Sequence, residues 1–88
     1  MNKCYIISYQ LIPNRNIEPL HNAIKAYGTW AKINETTWAI VTTISAIEIR
    51  NYLQRFLNTN DRLFIIKSGL EAAWSNAACT NEWLKNNL

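Results

Sequence analysis

The sequence predicts an α+β domain built on an antiparallel sheet, and three observations carry that prediction. Four runs rich in β-forming residues are interleaved with two segments whose apolar residues recur at helical spacing. Two of those runs are separated only by Asn34-Glu35-Thr36, which is short enough for a hairpin. The second helical segment opens with Ser45-Ala46-Ile47-Glu48, a capping box whose two polar side chains satisfy orphan backbone N–H groups.

The elements follow in order. Lys3 to Leu11 reads as a strand, and Ile12 to Asn16 as a loop. Ile17, Leu20, Ile24 and Tyr27 then make one apolar stripe of a helix. Pro19 stands in its first turn, where a missing N–H costs nothing, and Gly28 follows as its C-terminal cap. Thr29–Ile33 and Thr37–Thr42 are the hairpin strands. In the second helix, Ala46, Ile49, Leu53, Phe56 and Leu57 form the buried stripe, while Ile44 and Ile49 have the spacing of a hydrophobic staple. Asn58 to Asp61 is a turn, Arg62 to Ser68 a fourth strand, and Gly69 its end. Leu70 to Trp74 has the composition of a short extra strand, and Asn81 to Lys85 that of a short terminal helix.

The resulting order is β-α-β-β-α-β with a tail. Right-handed crossovers place strands one and three at the centre, antiparallel, with both helices on one face. This is a ferredoxin-like arrangement in a single domain spanning residues 1–88, with a C-terminal tail strand or helix. The second face of such a sheet stays open, so it must be polar, bind something or dimerise.

Composition narrows the class. The 88 residues are 49% apolar and 17% charged, with four Trp, four Tyr and a net charge of +3. A chain of this length buries only a thin core, to which a second copy would add. Low charge and many aromatic rings point to surface hidden in a partner. The basic residues are spread from Lys3 to Lys85 without a dense run, so charge by itself does not indicate nucleic acid. No apolar run approaches the span of a membrane helix, and no leader precedes the first strand. A cytoplasmic protein with reduced Cys4 and Cys79 is expected, with Cys4 a small buried strand residue.

Several chemistries have no signature. There is no HExxH, CxxC or His/Cys cluster, so no metal site is expected. His21 is the single histidine, on the polar side of the first helix, with nothing in the sequence to place a nucleophile or an acid beside it. The two glycines, Gly28 and Gly69, make no phosphate loop, and the aromatic signature of RNA-recognition domains is missing. No cofactor and no catalytic residue is assigned.

Four features remain as candidates, each beside a plainer reading. Ser8 and Gln10 share one face at the end of strand one; they contact a phosphate or base edge, or face solvent or a dimer seam. Trp30 and Trp38, with Lys32 nearby, offer a stacking platform, or else fill the core or an interface. A two-residue turn puts the two rings on opposite faces of the hairpin and a three-residue turn puts them on the same one. Arg50, Arg55 and Arg62 track a phosphate backbone or form a solvated face. Leu70, Trp74 and Trp83 cover a sheet edge or cross to a second subunit, which favours a homodimer.

The strings CYIISYQL, AYGTWAKINETTWAI, SAIEIRNYL, NDRLFI and EWLKNNL together resemble a family of small bacterial and phage proteins called SinR-like. That family is similar in fold to the small CRISPR-adaptation protein (the second Cas protein) and to the VapD toxins. The resemblance implies a ferredoxin-like homodimer whose tail strand pairs across subunits. In the nuclease relatives an Asp ends strand one in a Tyr-Asp-Leu-like string, where it binds metal. This chain reads Tyr9-Gln10-Leu11, and a neutral amide is a poor Mg²⁺ ligand and no base. Glu35, Asp61 and Glu71 are the carboxylates left to replace it, at spacings that suggest no site. The expected function is a non-catalytic homodimer that binds a nucleotide or nucleic acid in a groove of Ser8, Gln10, Trp30, Lys32 and Trp38, in a phage or defence setting. The alternatives are a metal-dependent endoribonuclease of the VapD or CRISPR-adaptation type, and a protein-interaction or antitoxin module.

Overall fold

A computed structural model of the chain describes residues 1–13, 16–69 and 71–88. The order is β1 (Lys3–Gln10), α1 (Glu18–Lys25), β2 (Thr29–Asn34), β3 (Thr37–Thr42), α2 (Ala46–Leu53), a 3₁₀ turn (Gln54–Phe56), β4 (Arg62–Lys67) and α3 (Asn81–Asn87). One antiparallel sheet runs β2-β3-β1-β4. β1 and β3 are therefore central, and β2 and β4 are the outer strands.

Alternation along the strands separates two faces. Tyr5, Ile7 and Tyr9 of β1 and Trp38 and Ile40 of β3 pack with Leu20, Ala23 and Ile24 of α1 and Ile49 and Leu53 of α2. Each fully buried Ile or Leu here contributes about 1.5–3 kcal/mol. Both helices thus cover one face. Ala46, Phe56, Leu57, Leu63 and Ile65 complete the layer at its margin.

Local chemistry fixes the helix ends. Ser45 Oγ accepts the Glu48 N–H (3.2 Å) and donates to Glu48 Oε1 (3.1 Å), so the box closes side chain to side chain. Ile49 is fully buried while Ile44 stays 37% exposed. α1 ends at Lys25, earlier than its apolar stripe implies, and the chain turns through Gly28 at φ 93°, a conformation that costs glycine little. Thr80 caps α3 by accepting the Trp83 N–H at 3.1 Å.

The second face is covered differently. Cys4, Ala31 and Ala39 point away from the main core yet are buried, and so is Leu84 of α3, at 1% exposure. The tail reaches the outer edge of β2, where the Ala78 N–H donates to the Ile33 carbonyl (2.8 Å), and α3 follows from there. Cover stops short of β4, whose Phe64 and Ile66 remain 60% and 50% exposed.

The tail differs from the sequence expectation. Glu71 to Trp74 form no strand, and Leu70 lies outside the described residues, as do residues 14 and 15 of the first loop. Trp74 instead closes the tail on itself, its Nε1–H donating to Asn81 Oδ1 at 3.0 Å. Cys4 and Cys79 are both free thiols. No helix among the described residues is long and apolar enough to cross a membrane.

Candidate functional site

The hairpin decides where the tryptophans go. Lys32 pairs with Trp38 and Asn34 with Thr37, with an irregularity between Lys32 and Asn34. That register sets Trp30, Lys32 and Trp38 on one side of the sheet, the side covered by the helices. Trp38 is 1% exposed, and its Nε1–H donates to Tyr9 Oη at 3.2 Å. A ring so buried cannot stack on a base, so Trp38 is a core residue rather than a binding one. Trp30 is 38% exposed and backs onto Trp38, with ring centroids 5.4 Å apart.

Trp30 and Lys32 line an open cleft of about 360 Å³ along the outer edge of β2. Its other wall is the tail: Ala78, Cys79, Thr80 and Trp83. An exposed indole and a partly buried one therefore border one space. Cations flank it: Lys25 Nζ lies 5.2 Å from the Trp30 ring, and Lys32 Nζ lies 6.0 Å from the Trp38 ring. Lys32 also pairs with the exposed Glu35 carboxylate at 3.5 Å, a contact that water weakens.

Beneath the platform lies a polar knot that the sequence does not announce. Tyr9 Oη is 2.7 Å from His21 Nε2, donates to the Glu35 carbonyl at 3.2 Å, and accepts from Trp38. His21 is thus half-buried and partnered, not part of a solvated helix face. With the Tyr9 proton on the Glu35 carbonyl, His21 donates through Nε2 and keeps Nδ1 as its acceptor. Burial pulls the His21 pKa below its ordinary value, and the positive charge of Lys32 pulls the same way. Burial likewise raises the Tyr9 hydroxyl pKa, against the opposing Trp38 hydrogen bond and Lys32 charge. Both groups are therefore neutral at pH 7, and together they tie β1, α1 and the hairpin turn.

The groove expected from the sequence is divided. Ser8 and Gln10 sit on the other face of β1, in a shallow depression with Arg62 and Phe64. There Arg62 Nη1 donates to Gln10 Oε1 at 3.2 Å. The three arginines do not track the Trp30 cleft either. Arg62 is on β4, at the opposite edge of the sheet, and α2, which carries Arg50, packs over that same strand. Arg50 donates to Asn51 (3.1 Å), and Arg55 just beyond α2 lies over the Tyr52 ring (5.9 Å). The cations beside Trp30 are Lys25 and Lys32.

The carboxylates do not converge. Asp61 accepts the Ile12 N–H at 2.8 Å and the Asn58 N–H at 2.7 Å, which closes the turn before β4. No group of three His, Cys, Asp or Glu side chains among the described residues could hold a metal ion. Of the residues expected at a subunit boundary, Trp83 lines the cleft, Trp74 is bonded within the tail and Leu70 is outside the described residues. Lys25 carries no motif in the sequence, although its place four residues after His21 puts the two on one helix face.

No protein-family model matches the chain. Among solved structures it is similar to the crystal structure of a hypothetical protein, TT1823, from Thermus thermophilus. The TM-score is 0.68 at 19% identity, covering 90% of this chain and 98% of that one. At that identity the likeness is one of fold.

Proposed function

We propose that this protein is a ferredoxin-like, non-catalytic, cytoplasmic homodimer that binds a nucleotide or nucleic acid. One observation carries the binding reading: Trp30, Trp83 and Lys32 line a single open cleft, with Lys25 over the Trp30 ring. A base stacked on an accessible indole gains about 1–3 kcal/mol, whatever the base, and lysines beside it take the phosphates. Ser8 and Gln10 lie on the other face and have no part in this site.

Support for the dimer comes from the sheet. Among the described residues β4 bonds to β1 along one edge only, and it presents Phe64 and Ile66 to solvent next to the half-buried Ile6. A second copy laid on this strand would cover the apolar surface that α3 leaves bare. The βαββαβ order with central β1 and β3 supports the ferredoxin-like assignment.

Native mass spectrometry on protein purified gently from cells tests both halves. The expected species is a dimer carrying the mass of a nucleotide or short oligonucleotide. A clean monomer would contradict the dimer. A bare dimer that takes up no added oligonucleotide would contradict the binding reading.

A further inference from the structure

A second cavity, on the far side of α1 from the tryptophan cleft, has the opposite chemistry. Ala23, Ala26 and Tyr27 at the end of α1 and Ile44, Glu48 and Tyr52 of α2 and its approach line an open groove of about 410 Å³. This is within the size of small-molecule pockets, about 300–1,000 Å³, which are mostly apolar with a few placed polar groups. The walls are aromatic: Tyr27 and Tyr52 meet edge to face at 6.3 Å, and Phe56 braces Tyr52 from behind at 5.4 Å.

Every titratable group lining the cavity is an acid. Glu48 is held at the rim by Ser45, which occupies only Oε1. Oε2 has no hydrogen-bond partner among the described residues. Burial raises the Tyr27 hydroxyl pKa, and the Tyr52 and Glu48 side chains add to the rise, so this phenol stays neutral and the carboxylate in the lining is that of Glu48. No Lys or Arg is among these lining residues, although the chain carries a net charge of +3. The Arg55 guanidinium, 5.9 Å from the Tyr52 ring, shows that this ring accepts a cation, yet Arg55 does not line the cavity.

We propose that this groove binds a small organic ammonium ion. The hydrocarbon part rests on Ala23, Ala26 and Ile44, the positive head lies against the tyrosine rings, and Glu48 Oε2 accepts its N–H. A cation over an aromatic face and a charge-assisted bond to a carboxylate act on the same head group. The site does not depend on the nucleotide reading, because it shares no residue with the tryptophan cleft.

The test is an NMR titration of the full chain with 2-phenylethylammonium, following the Ala23 and Ala26 methyl signals. Saturable shifts are expected in the millimolar range, with none from the neutral 2-phenylethanol or the anionic 3-phenylpropionate. Glu48→Gln keeps a capping side chain and is expected to weaken binding roughly tenfold, the loss of one charge-assisted contact. Ala26→Leu fills the groove without touching the cap and is expected to abolish binding. Absence of saturable shifts, equal binding of the anion, or unchanged affinity in either folded variant would overturn the proposal.

Discussion

The two faces of the sheet are built from the same strands and are finished to different depths. On one, two amphipathic helices seal a continuous layer from Tyr5 to Leu53, with Ile7, Ile24, Ile40, Ile49 and Leu53 wholly removed from water. On the other, small residues, Cys4, Ala31 and Ala39, are buried, the tail with its seven-residue helix comes up beside Ala31, and Phe64 and Ile66 of β4 stay exposed. Stability resides on the first face, since burial energy scales with apolar area. Both the tryptophan cleft and the bare strand arise where the second cover begins and ends. The thin cover creates the surfaces available for partners.

Breaking the first face should have the largest effect. Ile49→Ala or Leu53→Ala is expected to cost about 2–5 kcal/mol, because α2 cannot collapse onto the space left behind. Urea unfolding monitored by circular dichroism reads this directly. Leu84→Ala on α3 should cost less, near the lower end of that range at about 2 kcal/mol, because Leu84 lies outside the main core layer and a short terminal helix can settle into the space left. The same variant should speed reaction of Cys4 with a thiol reagent, since burial both shields that thiol and raises its pKa. Unchanged Cys4 reactivity would show that α3 is not what covers the second face.

The polar knot on the first face makes stability depend on pH. The folded-state pKa of His21 lies below its unfolded value of about 6.5, so the unfolded chain binds the proton more readily. The contribution is fully present above that pH and is lost as pH falls through the lowered folded value. Unfolding free energy should therefore decline on acidification below about pH 6.5, ahead of the carboxylates. His21→Asn should flatten that part of the profile, and an unchanged slope would remove His21 as its source. The smallest effect is expected on β4. Phe64→Ser should change monomer stability by no more than about 0.5 kcal/mol while weakening self-association, read by sedimentation velocity.

Much of this architecture is legible in the sequence, because periodicity and caps are local. The alternating strands, the Ser45 box and the stripe through Leu20 and Ile24 need no tertiary information. The site is less legible. Which face Trp30 and Trp38 share depends on a strand irregularity between Lys32 and Asn34, and one residue of slip reverses it. That His21 meets Tyr9, twelve residues away, follows from how α1 lies across β1 and not from either segment alone. The tail reads as a strand from Leu70 to Trp74 by composition. Its path along β2 is fixed instead by long-range contacts such as Ala78 with Ile33. Trp83 belongs to the cleft because of that path, which explains why its role is not apparent in the sequence.

The proposed stacking site is bordered by Trp30 and Trp83. The direct measurement is a tryptophan-fluorescence titration with a short single-stranded oligonucleotide at low salt, on wild type and on Trp30→Ala and Trp83→Ala. Saturable quenching is predicted for the wild type, with affinity lowered about fivefold or more in each variant, as loss of one stacked base implies. No saturable quenching, or full affinity retained by both folded variants, would contradict it.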